Sequence, residues 1–128
     1  MDSNCLARTT LKYWRYIALA LLVTIWILSL IPLDGTSLPG GDKLHHTLAY
    51  AALMFAWSCA VMHEADRLKL AIGFCLMGLL IEGFQHLTPY RFFEWGDALA
   101  NALGVLAGWF AGHLFVRITD RRCRKSPR

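Results

Sequence analysis

The chain has 128 residues, 56% of them hydrophobic, with a mean hydropathy of +0.41 and a formal net charge of +4. This composition lies outside the range of ordinary soluble domains and excludes a soluble catalytic module. The positive balance does not indicate nucleic acid as a partner, because the placement of the basic residues follows membrane topology instead.

Four apolar runs, residues 13–31, 44–62, 68–87 and 97–116, carry the organisation. Each is about 19–20 residues, or roughly 28–30 Å as an α-helix, which is enough to cross a hydrocarbon core. The expectation is an all-α integral membrane four-helix bundle, forming a single domain over residues 1–128 with short basic tails. Arg8, Lys12 and Arg15 lead into the first run, and Arg67 and Lys69 lie at the second connection. Arg117, Arg121, Arg122, Arg124, Lys125 and Arg128 follow the last run, so only Lys43 and Arg91 fall on the opposite side. The positive-inside rule then predicts both termini in the cytoplasm of a multi-pass protein.

The first run has a longer apolar stretch than a secretory signal and ends in Leu-Ser-Leu-Ile-Pro, so it reads as an uncleaved anchor. The connection over residues 32–41 contains Pro32, Gly35, Pro39, Gly40 and Gly41 and reads as an irregular outer loop. Asp42 follows as a candidate cap of the second helix. Residues 63–67 form a short polar cytoplasmic turn. In the third connection, Tyr90, Phe92 and Trp95 flank Arg91 and suit the headgroup level. Asp97 opens the fourth helix in the same capping role as Asp42. Cys5 and Cys123 fall on the cytoplasmic side and Cys59 and Cys75 within runs, so neither a structural disulfide nor a zinc cluster is expected.

Threading the helices up and down brings the polar residues of the apolar runs to one surface. On the second helix, Asp42 and His46 share a face with Tyr50 at its edge. Glu82 and Gln85 lie near the end of the third, and Asp97 and Asn101 begin the fourth. A charge inside a bilayer costs about 2.5–3.5 kcal/mol on insertion scales, so Glu82 demands a partner, with His46, Lys43, Arg91 and Asn101 as candidates. Structural roles compete at each position. Asp42 and Asp97 suit caps, Asn101 and Gln85 suit interhelical hydrogen bonding, and Lys43 and Arg91 suit snorkelling to headgroups. Gly104, Gly108 and Gly112 form a tandem small-xxx-small stripe, read as close packing within the bundle, with a homo-oligomer seam as the alternative. Trp109 beside the stripe is expected to face lipid.

The ordered pattern Asp42, Lys43, His46, Tyr50, then Glu82 and Gln85, then Arg91, then Asp97, Asn101, Gly104 and Gly108 resembles the VanZ-like family of small bacterial membrane proteins. The resemblance covers about residues 29–116. This chain departs from the family's usual pattern at His45, where an apolar residue is usual, and at Thr47, where an aromatic is common. The resemblance implies a place in the bacterial cytoplasmic (inner) membrane. It also implies a link to the envelope, since the family's namesake is associated with resistance to glycopeptides, chiefly teicoplanin.

Three functional expectations follow. The first is a binding or accessory protein at the outer face, taking an anionic lipid or lipid-linked envelope precursor. Lys43 and Arg91 would contact phosphate, and Tyr50, Gln85, Asp97 and Asn101 would complete a polar pocket with Glu82. Envelope homeostasis or glycopeptide tolerance would be its setting. The second is an intramembrane hydrolase or transferase acting on lipid headgroups, with His46 as base or nucleophile, Asp42 orienting it and Glu82 as acid. A scaffold whose polar groups only fix helix register is a third. No motif requires a cofactor or a metal, although Asp42, Glu82 and Asp97 could together hold a divalent ion.

Overall fold

The computed structural model of the chain describes residues 3–31, 41–87 and 94–125, with side chains described over 10–31, 43–87 and 94–121. The described residues form four α-helices: α1 (Ser3–Leu30), α2 (Gly41–Ala60), α3 (Glu64–His86) and α4 (Trp95–Lys125). The all-α, four-helix expectation holds. α1 and α4 outrun their apolar stretches, starting at Ser3 and ending at Lys125. Hydropathy marks where a helix meets lipid, whereas backbone hydrogen bonding continues into the polar flanks.

The four helices differ in apolar character. α1, α3 and α4 are long and apolar enough to cross a membrane, over Thr10–Leu30, Glu64–His86 and Trp95–Arg121, but α2 is not among them. The cause lies in its sequence, which opens Gly-Asp-Lys-Leu-His-His and is rich in alanine. Its position explains why that is tolerated. α2 packs against all three other helices, with α4 as its principal neighbour. Tyr50, Leu53, Met54, Ala56, Ser58, Cys59 and Ala60 are all buried. A helix sheltered by its neighbours needs less apolar surface than one bathed in lipid. Those neighbours turn the apolar surface outward: Val23 and Ile27 on α1, Ile72, Leu76 and Leu80 on α3, and Leu103, Leu106 and Phe110 on α4 are exposed. So broad an apolar exterior is that of a multi-pass membrane protein.

Glycines set the α2–α4 contact. A Cβ on Gly104 would collide with the Thr47 carbonyl, one on Gly108 with the Ala51 carbonyl, and one on Gly112 with Ser58. The partners advance in step along both helices, so α2 and α4 run parallel with their backbones in near contact. Gly73 and Gly83 on α3, by contrast, have open space around them. Trp109 is half-buried and packs against the core rather than facing lipid.

The α2–α3 turn is closed by the Arg67 guanidinium, which is only 3% exposed. Nε donates to Ser58 O at 3.0 Å, Nη2 to Val61 O at 3.1 Å and Nη1 to Glu64 Oε1 at 2.8 Å. The last carbonyls of a helix lack intrahelical partners, and α2 has no basic residue in its own last turn to serve them. Arg67 supplies those donors from the next helix. His113 Nδ1 of α4 approaches the same Glu64 oxygen at 2.8 Å, and Arg15 Nε of α1 reaches Ala60 O at 3.4 Å. All four helices therefore meet at this end, beside a ring cluster of Trp14, Phe55 and Phe115 with centroids 5.6–6.4 Å apart.

Candidate functional site

The opposite end of the bundle holds the polar residues singled out above, brought together by the parallel α2–α4 contact and the end of α3. His46 on α2 faces Asn101 on α4, with Nδ1 3.1 Å from Oδ1. An amide oxygen only accepts, so Nδ1 is the donor in this contact. Asn101 is 1% exposed, and its Nδ2 packs where α3 has no side chain: a Cβ on Gly78 would lie 3.0 Å from it. Glu82 lies one turn beyond Gly78 on α3 and is 2% exposed. Tyr50, one turn beyond His46, is equally buried, and its hydroxyl lies within electrostatic range of Glu82.

Glu82 makes no direct hydrogen bond to His46, one of its candidate partners. Its Oε1 accepts the backbone N–H of Glu94 at 3.1 Å. Glu94 immediately precedes α4, and its carbonyl accepts the N–H groups of Asp97 and Ala98. Glu94 thus occupies the cap position, while Asp97 lies inside the first turn, where its charge still favours the positive helix end. Asp42 likewise lies inside the first turn of α2 rather than ahead of it, and its side chain is outside the described residues. The observed partner of His46 Nδ1 is Asn101.

Lys43 spans from α2 to the start of α4. Its Nζ lies 2.7 Å from Glu94 Oε2 and 3.4 Å from Asp97 Oδ1, and its stem fills the space beside Gly96. The bond to Glu94, followed by the Asp97 charge, raises the Lys43 pKa above its ordinary value. The same bond, with the Lys43 charge, lowers that of Glu94. Thr47 Oγ1 lies 2.9 Å from Lys43 O in its own helix and 3.2 Å from Ala100 O of α4, so its single proton serves one or the other. Gln85 is turned elsewhere: its Nε2 donates to Ser29 O at 2.8 Å, satisfying a carbonyl at the end of α1. Arg91 lies outside the described residues.

Unpaired buried polar atoms occur toward the Arg67 end too, at Ser58 Oγ and Trp57 Nε1, but this end gathers them from three helices. Tyr50 Oη, Glu82 Oε2 and Asn101 Nδ2 are all buried with no hydrogen-bond partner. Buried polar groups in folded proteins are nearly always paired, so three orphans where α2, α3 and α4 meet are unusual. Together with His46, they offer hydrogen-bonding positions to a small polar group. Among the described residues, no group of three or more His, Cys, Asp or Glu side chains could hold a metal ion.

Sequence reasoning overlooked Glu94 and Arg67. Glu94 lay in a connection whose polarity needed no explanation. The signal that could have found it is an acid directly before the fourth helix, on the same side as Lys43. Arg67 was counted only as a topology charge.

The fold and this half-satisfied buried cluster define a small multi-pass helical membrane protein with a polar site at one end. The chain belongs to the VanZ/LLP1 family, whose model matches residues 7–116 and so takes in most of α1 as well as the polar helices. No curated protein and no solved structure matches it.

Proposed function

We propose that the protein binds an anionic lipid or lipid-linked envelope precursor at the outer face of the bacterial cytoplasmic membrane, with its headgroup entering between α2, α3 and α4. The observation that carries this reading is the set of unpaired buried atoms Tyr50 Oη, Glu82 Oε2 and Asn101 Nδ2. Each loses the hydration it would have in water and gains nothing in return until a polar ligand arrives. The basic residues Arg117 and Arg121 lie at the far end of α4, which supports an N-in/C-in orientation with the site outward. Arg91, between the helices bearing Glu82 and Asp97, supplies the cation, since guanidinium binds phosphate bidentately. Envelope homeostasis is the setting we assign to this binding.

The test is lipid co-purification by native mass spectrometry. Arg91→Ala should lose phosphate-bearing lipid while remaining folded, and neutralising Arg121, Arg122 and Arg124 together should not. The reverse pattern overturns the reading.

One observation favours a second reading, an intramembrane hydrolase or transferase. His46 is oriented by Asn101, 3.1 Å from its Nδ1, as a general base must be. In that case His46→Ala abolishes turnover of a lipid headgroup while lipid retention persists.

A further inference from the structure

Glu94 occupies the site with two groups at once. Its carboxylate takes Lys43 at 2.7 Å, and its own backbone N–H takes Glu82 at 3.1 Å. Lys43 is the one cation described at this end, and Glu82 is its buried acid. The residue therefore presents an anionic oxygen and, a few bonds away, a hydrogen-bond donor.

Its hold on Lys43 is weak by construction. The two side chains are 47% and 58% exposed, and exposed pairs are worth little against water and salt. Asp97, 3.4 Å from Lys43, keeps the ammonium in place if Glu94 leaves. Beneath the pair lie the unpartnered Tyr50 Oη, Glu82 Oε2 and Asn101 Nδ2, all on residues at most 2% exposed. A group displacing Glu94 would find further hydrogen-bonding positions there.

We propose that Glu94 is a displaceable internal ligand, and that the lipid replacing it carries an anionic oxygen beside a hydroxyl or amide donor, the pair Glu94 itself presents to Lys43 and Glu82. This deepens the binding reading above and rests on it. A phosphodiester next to a polyol or sugar has that chemistry. A bare phosphodiester has only half of it, and a choline headgroup has no donor.

The experiment uses the full chain in nanodiscs or detergent, with phosphatidylglycerol, phosphatidylmethanol and phosphatidylcholine as probes and native mass spectrometry as the readout. Phosphatidylmethanol matches phosphatidylglycerol in charge and lacks its headgroup hydroxyls. The wild-type chain should retain phosphatidylglycerol over phosphatidylmethanol, and both over phosphatidylcholine. Glu94→Gln and Glu94→Ala should raise retention of both anionic lipids by about two- to fivefold, the equivalent of an exposed ion pair, without changing that of phosphatidylcholine. Soluble glycerol 3-phosphate added in excess should not displace the lipid; displacement would reassign the ligand to a free phosphate and overturn the lipid assignment. Unchanged or reduced anionic-lipid retention in both Glu94 variants overturns the internal-ligand role while leaving binding intact. Equal retention of phosphatidylglycerol and phosphatidylmethanol overturns the donor requirement. If the wild-type chain and both variants retain none of these lipids, the binding reading itself fails.

Discussion

The two ends of the bundle each bury charge, and they treat it differently. At the Arg67 end every nitrogen of the buried guanidinium has a partner: two helix-terminal carbonyls and a carboxylate. At the Lys43 end the lysine and its acids remain exposed, while the buried groups beneath, Tyr50, Glu82 and Asn101, each keep an unpaired atom. A satisfied buried charge holds helices together. An unsatisfied one is a cost to folding that persists only where something else is gained. The contrast is one of charge, since Ser58 Oγ beside Arg67 is itself buried without a partner, and it supports the binding reading proposed for the Lys43 end.

The largest expected effect is at Arg67. Arg67→Ala leaves Ser58 O and Val61 O without their side-chain donors in a buried turn, and should cost about 2–4 kcal/mol. Arg67→Lys should recover little, because one ammonium cannot reproduce three separated nitrogens. Thermal unfolding in detergent measures both. A loss below about 0.5 kcal/mol for Arg67→Ala, the level of an ordinary surface change, would break the comparison.

At the other end the sign should differ. Tyr50→Phe removes a buried hydroxyl that has no partner, so it should leave stability unchanged or raise it by up to about 1 kcal/mol while weakening lipid retention. A clear loss of stability would show that the hydroxyl is satisfied in the membrane, and the two ends would then be alike.

These differences were unevenly legible in the sequence. His46, Glu82 and Asn101 stand out because a polar side chain within an apolar run is conspicuous. The glycine stripe was equally plain, although only the fold shows that its neighbour is α2. Arg67 could not be distinguished from its fellow topology charges, because burial at a turn depends on how the next helix folds back. The pairing of His46 with Asn101 rather than Glu82 depends on rotation about each helix axis, which periodicity constrains only loosely. α2 is long enough for a fourth apolar run, and its polar opening is tolerated because its neighbours shield it.

The smallest effect sharpens the comparison most directly, because it concerns the exposed pair at the mouth of the Lys43 end. Four groups meet around Glu94: Lys43 from α2, Asp97 from α4, Glu82 from α3 through the backbone N–H, and the Glu94 carboxylate itself. Glu94 has a lowered pKa, so its contribution is present above the ordinary carboxylate range and is lost as pH falls through the lowered value. Lys43 has a raised pKa, so its contribution is complete below 10.5 and is lost as pH rises through the raised value. Between those limits the difference in thermal stability between the wild-type chain and Glu94→Gln should be flat, and it should vanish on either side. On the acid side a second consequence follows. Protonated Glu94 releases Lys43 while a phosphodiester stays ionised, so retention of phosphatidylglycerol should rise as pH drops in the wild-type chain and stay level in Glu94→Gln. If both titrate alike, the acid that governs the site is another of the four, and Glu94 is only its neighbour.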